Sequence, residues 1–229
     1  MAVRLGSGRF IGKRVLVTSA DLYMGPAIVD RFAAEGAVVI ADSGTYDTDP
    51  DEAARLVAAT QPLDVVIVNL LAVQPRIPIV ETTDEVWQSM FDRMATPTMR
   101  LVRAVVPQMI ARRSGKIVVI TSAAPLRGVG EIAAYSAARG AQNAFVRSVG
   151  AEIARHNVQI NAVGQNYVYG GYPADALDDS GVHAAVMRDV PAQRLAEGWE
   201  QAELVLFLAS QNSNFISGQV VPFAGGWVT

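Results

Sequence analysis

A serine, a tyrosine and an arginine that could together abstract a proton lie in the segment IVVITSAAPLRGVGEIAAYSAARGA. Ser122 follows an apolar run that predicts a strand, and Tyr135 and Arg139 are four residues apart in a predicted helix. This spacing places both side chains on the same helix face. In such a set the serine holds a substrate oxygen, the tyrosine exchanges its proton and the arginine favours the phenolate. We therefore predict that Ser122, Tyr135 and Arg139 are catalytic.

The order and spacing of these three residues resemble the signature of the short-chain dehydrogenase/reductase superfamily, a Ser followed by Tyr-x-x-x-Lys. Here Arg139 stands in place of the Lys. In the superfamily the Lys also bonds the nicotinamide ribose, whereas an Arg is a planar fork that stays charged. The Ser-Tyr-Arg set resembles one branch, the halohydrin dehalogenases. This resemblance implies that Arg139 keeps only the role of favouring the phenolate.

The turn after the first predicted strand has lost two glycines. Residues 18–25 read TSADLYMG, where a dehydrogenase of the superfamily carries Thr-Gly-x-x-x-Gly-x-Gly. Those glycines let the backbone turn tightly and approach a pyrophosphate. Ser19 and Tyr23 replace them, and the Tyr23 ring stands where a cofactor would need room. The pattern resembles the halohydrin dehalogenases, in which an aromatic residue borders the halide pocket. The resemblance implies that the reaction needs no cofactor.

Asp42 favours a different interpretation. It ends the second predicted strand, where an acidic side chain would accept the ribose hydroxyls of NAD. A divergent NAD(P)-dependent reductase therefore stays open as the alternative function. A non-enzymatic member of the superfamily, which keeps the fold without the chemistry, also stays open.

Two further segments depart from the redox enzymes of the superfamily. Met94 aligns with the Asn that completes their proton relay, and residues 164–166 read GQN where Pro-Gly would shape a nicotinamide pocket. In halohydrin dehalogenases this second segment forms much of the halide site. The resemblance implies that Tyr167 and Val168 offer backbone N–H groups to the anion. It also implies that Gln165 and Asn166 shape the rim.

The hydrophobic pattern predicts alternating strands and helices. Strands are predicted at 14–18, 38–41, 65–69, 116–121, 159–163 and 220–223, and helices near 25–35, 51–60, 84–112, 133–155 and 199–210. Short apolar strands between amphipathic helices favour an α/β fold, a Rossmann-like doubly wound parallel sheet flanked by helices on both faces. We predict a single domain over 1–229, and a substrate loop over 166–188.

Composition excludes several classes of function. The chain has 229 residues, 51% of them hydrophobic, a net charge of −3 and no cysteine. These values give no basic footprint for nucleic acid, and they exclude disulfides and thiol catalysis. His156 and His183 lack the clustered ligands of a metal site. No apolar run is long enough to span a membrane, and the first residues lack the apolar core of a signal peptide, so we expect a cytoplasmic protein.

The expected partners follow from the resemblance. It implies a small halohydrin or epoxide and a halide ion as ligands. It also implies a homotetramer in which the long helices 84–112 and 133–155 pack against another subunit. Trp227, near the end of the chain, is expected to cover a neighbouring subunit's pocket.

Overall fold

A six-stranded parallel sheet forms the centre of the protein. The computed structural model describes residues 8–72, 76–169 and 180–228 of the chain. The strands are β1 Arg14–Val17, β2 Val38–Ala41, β3 Val65–Asn69, β4 Gly115–Ser122, β5 Val158–Gln165 and β6 Val220–Phe223. Their order is β2-β1-β3-β4-β5-β6. β2 is therefore added on one side of β1, and the strands from β3 onward are added on the other side. This change opens a crevice between the carboxyl ends of β1 and β3.

Helices cover both faces of the sheet. They are α1 Gly25–Ala34, α2 Glu52–Thr60, α3 Asp84–Met90, α4 Thr96–Arg112, α5 Ala124–Arg127, α6 Ala133–Ile153, α7 Ser180–Asp189 and α8 Gly198–Ala209. A π turn, Phe91–Ala95, joins α3 to α4, and short 3-10 turns lie at Ile79–Glu81, Ala154–His156 and Gln211–Ser213.

Two apolar cores separate the sheet from these helices. Leu16 and Val66 point to the core shared with α2, α4 and α6, whereas their neighbours Val15 and Val65 point to the core shared with α1 and α8. Successive strand residues face opposite sides of a sheet, so strands covered on both faces must be apolar throughout. The predicted doubly wound α/β fold is confirmed.

The structure corrects the sequence prediction in three places. β5 extends from Val158 to Gln165, so Gln165 belongs to the strand and not to the following loop. The π turn interrupts the predicted helix 84–112. Helix α7 lies within the predicted loop 166–188, because a run of Ala184, Ala185, Val186 and Met187 favours a helix whose Val186 is fully buried. Residues 170–179 of that loop lie outside the described residues.

The residues described by the structure contain no helix long and apolar enough to cross a membrane. Within the same residues, no group of three or more His, Asp or Glu side chains is arranged to hold a metal ion.

Lys116 carries a buried charge at the amino end of β4. Its side chain is 8% exposed, and Nζ donates to Ser213 Oγ at 3.3 Å. Ser213 Oγ donates in turn to the carbonyl of Leu208 in the last turn of α8. The ammonium therefore lies near a helix carboxyl end, which favours positive charge. Burial nevertheless lowers the pKa of Lys116 from 10.5 to about 8.

The first prediction concerns how the free-energy cost of burying the Lys116 charge changes with pH. Lys116→Met should raise the free energy of unfolding at pH 7 by about 1–3 kcal/mol, because it removes a buried charge. Between about pH 8 and 10.5 the unfolded chain holds a proton on Lys116 that the folded protein has lost, so the wild type gains stability there relative to the variant. Urea unfolding at pH 7, 8.5 and 10 measures this shrinking difference.

Lys13→Met is the matched control for this experiment. Lys13 lines the same cavity as Lys116, is 46% exposed and pairs with Asp64 at 3.7 Å. Its removal should change stability by less than about 0.5 kcal/mol. A difference between Lys116→Met and wild type that stays constant from pH 7 to 10 would contradict the expected titration.

Candidate active site

Ser122 occupies the carboxyl end of β4, beside the crevice. It is buried like the rest of the strand, because helices cover both faces. Ser122 Oγ accepts a hydrogen bond from the backbone N–H of Ala124 at 3.1 Å, at the start of α5. This bond fixes the oxygen and leaves the hydroxyl proton available for another acceptor.

The side chain of Arg139 in α6 is fully buried. It bonds one backbone carbonyl in β4 and one just after β3. Nη1 donates to the carbonyl of Ile120 in β4 at 2.9 Å, and Nη2 donates to the carbonyl of Leu70, just after β3, at 2.9 Å. Nη1 also donates to Gln142 Oε1 at 3.1 Å. A planar guanidinium can reach these separate acceptors at once, which suits Arg better than Lys at this position.

Arg139 also lies against the ring of Tyr135. Its Cζ atom is 5.3 Å from the ring centroid, within the range of a cation–π contact. Tyr135 is half-buried and packs with Met90, Met94 and Ala138. Arg139 bonds the carbonyl of Ile120, two residues before Ser122 in the same strand. The three predicted residues therefore lie near the carboxyl end of β4. Their catalytic roles stay a prediction.

The turn between β1 and α1 has a left-handed backbone at two residues that are not glycine. Ser19 and Tyr23 have φ values of +43° and +59°, a left-handed conformation that costs about 1–2 kcal/mol for residues with a Cβ. Gly25 is retained because a Cβ there would collide with the carbonyl oxygens of Ser19 and Ala20. Tyr23 is half-buried and packs on the core beneath α1 and α8, and its place in a halide pocket stays a prediction.

Asn69 holds this turn from the end of β3. Its Nδ2 donates to the carbonyls of Ser19 at 3.0 Å and Leu22 at 3.1 Å, and its backbone N–H donates to Thr18 Oγ1 at 2.9 Å. No such role was predicted for Asn69 from the sequence. The available signal was an Asn at the end of an apolar strand, since an amide buried there needs partners.

Two residues of the predicted halide-binding segment, Asn166 and Tyr167, line a cavity of about 130 Å³. Phe223 and Ala196 line the same cavity, and each is hydrogen-bonded to one of the two through the backbone. Val168 is fully buried and pairs with Ala196 in an isolated bridge.

Gln165 supports this segment from within. Its side chain is 3% exposed, and Oε1 accepts from Gln201 Nε2 of α8 at 2.8 Å. Its side-chain oxygen therefore ties the end of β5 to α8. The roles of Gln165, Asn166, Tyr167 and Val168 toward an anion stay predictions.

Asp42 has an internal partner. Oδ2 of Asp42 accepts hydrogen bonds from the hydroxyl of Tyr46 and from the backbone N–H of Gly44, the latter at 2.8 Å. Tyr46 is fully buried, and burial, together with the Asp42 carboxylate, raises the pKa of its phenol. The phenol therefore stays protonated and donates to Asp42. Oδ2 of Asp42 is therefore engaged within the protein itself.

Comparisons with known proteins agree with this architecture. A family model described as enoyl-(acyl carrier protein) reductase matches residues 28–228. The chain belongs to the short-chain dehydrogenase/reductase superfamily. The 3-oxoacyl-[acyl-carrier-protein] reductase MabA of Mycobacterium avium is 28% identical over 98% of this chain and 93% of its own length.

Two solved structures are similar to this chain over nearly its whole length. A structure titled "Dehalogenation enzyme" has a TM-score of 0.84 and 30% identity, and the match covers 95% of this chain and 99% of that chain. A 3-oxoacyl-[acyl-carrier protein] reductase with bound NAD from Brucella melitensis has a TM-score of 0.86 and 24% identity, over 97% and 93% of the two chains. The second match bears on the fold alone.

The residues at which the sequence is expected to depart from the redox enzymes lie at structurally distinct points. Arg139 is fully buried in α6, and Met94 lies in the π turn. Ser19 and Tyr23 keep a left-handed backbone.

The second prediction tests the close packing of the turn. Gly25→Ala should destabilise the protein by about 1–3 kcal/mol, because the added methyl must displace backbone. Gly130→Ala is the control, since a Cβ at Gly130 meets nothing within 4 Å. Thermal unfolding should show a lower Tm for Gly25→Ala, by about 2–4 °C per kcal/mol. Equal Tm values for the two variants would contradict the packing of this turn.

Proposed function

We propose that this protein is a cofactor-independent halohydrin dehalogenase that converts vicinal halohydrins into epoxides and halide. The reverse reaction opens epoxides with small anions such as azide, cyanide or nitrite. The observation that carries the proposal is Arg139, whose guanidinium lies beneath the Tyr135 ring while its Nη atoms bond Ile120, Leu70 and Gln142. This arrangement places a positive charge against the Tyr135 ring and directs the described hydrogen bonds of Arg139 toward the protein interior.

In the proposed reaction, Tyr135 acts as the base. Its phenolate takes the proton of the substrate hydroxyl, and the proton of the Ser122 hydroxyl stabilises the oxygen that becomes negative. The alkoxide electron pair forms a C–O bond to the neighbouring carbon as the carbon–halogen bond breaks. The halide leaves with that bonding pair, and no hydride moves.

The departing halide needs hydrogen-bond donors in a site that excludes water. We assign this role to the segment 164–168 and to the ring of Tyr23. Backbone donors aimed at the position where charge develops stabilise the transition state more than the ground state. Asn166 and Tyr167 of this segment line a cavity of about 130 Å³, whose described lining does not include Tyr23 or Tyr135.

A divergent NAD(P)-dependent reductase is the second candidate, favoured by the names of the curated relatives and by Asp42. Two observations weigh against it. The Tyr46 hydroxyl already engages the Asp42 carboxylate, and side chains at Ser19 and Tyr23 replace the glycines over which a pyrophosphate would lie. We also propose a homotetramer built on α3, α4 and α6, as in the family that the sequence resembles.

The third prediction concerns the catalytic base. Wild-type protein should release bromide from a simple vicinal bromoalcohol without any nicotinamide. Tyr135→Phe should lose at least about 100-fold in rate, because general-base catalysis contributes about 10²–10⁴-fold. Ser122→Ala should lose a similar factor. Ion chromatography of bromide measures both variants.

Phe215→Tyr is the control, because Phe215 is fully exposed and lies before the amino end of β6, away from the carboxyl ends of the strands. Its rate should equal that of wild type. Bromide release that survives in Tyr135→Phe would remove the base from the mechanism and the proposal with it.

The fourth prediction separates the two candidate functions. Wild-type protein should show no saturable NADH binding below about 1 mM in a fluorescence titration. The variant Ser19→Gly should unfold at a slightly higher temperature than wild type, because glycine relieves the left-handed strain at that residue. Micromolar NADH binding by wild type, with reduction of a 3-oxo ester and no bromide release, would establish the reductase instead.

A further inference from the structure

Gln142 forms a buried hydrogen-bond chain behind Arg139. It lies one turn after Arg139 in α6 and is 1% exposed. Oε1 accepts from Arg139 Nη1 at 3.1 Å, and Nε2 donates to Thr98 Oγ1 at 2.7 Å and to the carbonyl of Met94 at 3.2 Å. The chain thus joins the arginine of α6 to α4 and to the π turn before it.

The partners on both sides fix the orientation of this amide. A rotated amide would place its NH₂ group against the guanidinium, which has donors only. It would also place its carbonyl oxygen against the carbonyl of Met94. Thr98 Oγ1 donates to the same Met94 carbonyl at 2.7 Å, so the hydroxyl has its proton committed and accepts from Gln142. One orientation satisfies all of these groups.

The π turn supplies the acceptor at the far end of the chain. Met94 is fully buried within Phe91–Ala95, and its carbonyl accepts two side-chain hydrogen bonds, from Thr98 and Gln142. A π turn widens a helix locally and often marks a functional site. Here it ends a chain that begins at the guanidinium.

The chain bears on the position of Arg139 beneath Tyr135. The carbonyls of Ile120 and Leu70 hold the guanidinium from the sheet side, and Gln142 holds it from its own helix. Tyr135 is the titratable group that the described contacts place against this charge. A guanidinium that tilts or slides away from the ring stabilises the phenolate less, because the interaction falls with distance.

We propose that Gln142 is a positioning residue, which fixes the guanidinium of Arg139 beneath Tyr135 through Thr98 and Met94. The inference rests on the proposed function, because it assigns Gln142 a part in the activity of Tyr135. Gln142 acts through Arg139 and makes no contact with substrate in the proposed reaction.

The neighbouring residue provides a matched control. Asn143 is 3% exposed, and neither of its amide atoms has a hydrogen-bond partner among the residues that the structure describes. An unpaired buried amide costs free energy. Asn143→Leu therefore removes a buried amide of the same helix without touching the contacts of Arg139, and it should keep the wild-type rate and raise the Tm.

The fifth prediction compares Gln142→Met with Asn143→Leu. Gln142→Met keeps the side-chain volume and removes both ends of the chain. Its kcat for bromide release should fall about 10–100-fold with little change in KM, since small misplacements of catalytic groups cost up to about 100-fold. The rising limb of its pH–rate profile should move to higher pH. Thr98→Val, which removes the acceptor of Gln142, should show a smaller change in the same direction.

A second readout does not depend on activity. The guanidinium N–H signals of Arg139, assigned by NMR with an Arg139→Lys reference, should exchange slowly in wild type and in Asn143→Leu. They should exchange faster in Gln142→Met and in Thr98→Val. If Gln142→Met does not fold, Thr98→Val supplies both readouts.

The outcomes separate the two proposals. If the wild type releases no bromide and the Arg139 N–H signals exchange faster in the variants, the proposed function is overturned. The positioning of Arg139 by Gln142 then still stands. An active wild type, with Gln142→Met equal to Asn143→Leu in rate, pH profile and exchange, would overturn the positioning role and leave the function intact.

Discussion

The arrangement of residues at the carboxyl ends of β3 and β4 depends on the buried positive charge of Arg139. Arg139 is fully enclosed, and a charge in that environment is tolerated only when its donors are satisfied. The Nη atoms donate to the side-chain oxygen of Gln142 and to the carbonyls of Ile120 in β4 and Leu70 just after β3. The guanidinium therefore fixes α6 to the carboxyl edge of the sheet. The same contact sets where Tyr135 stands relative to Ser122.

A second constraint acts on the opposite side of the crevice. The Asp42 carboxylate is held by the Tyr46 phenol and the Gly44 amide, and Asn69 ties down the turn that holds Ser19. These bonds fix the ends of β2 and β3 relative to the turn between β1 and α1.

The sequence predicted what local periodicity determines. The six strands and the pairing of Tyr135 with Arg139 follow from repeats of two and of about four residues, which are encoded within a few positions. The superfamily membership expected from that spacing is confirmed. Helix α7 was missed because the Gly, Pro, Tyr and Asp residues before it favour a loop.

Long-range polar contacts were not predictable in the same way. Asn69 bonds Ser19 across 50 positions, and Gln142 bonds Thr98 across 44. Each contact depends on which strand end or helix turn the fold brings alongside, and no local pattern encodes that. Gln165 is a related case, because only the length of β5 decides whether its side chain enters the core or the rim.

The turn at Ser19 and Tyr23 has a consequence for the substitutions that the chain can accept. Both residues hold a left-handed backbone that suits glycine, so the loop itself requires a side chain at neither position. Tyr23 also packs on the core beneath α1 and α8. The two positions therefore differ in tolerance, because glycine at Ser19 relieves backbone strain, whereas glycine at Tyr23 also removes packing against the core.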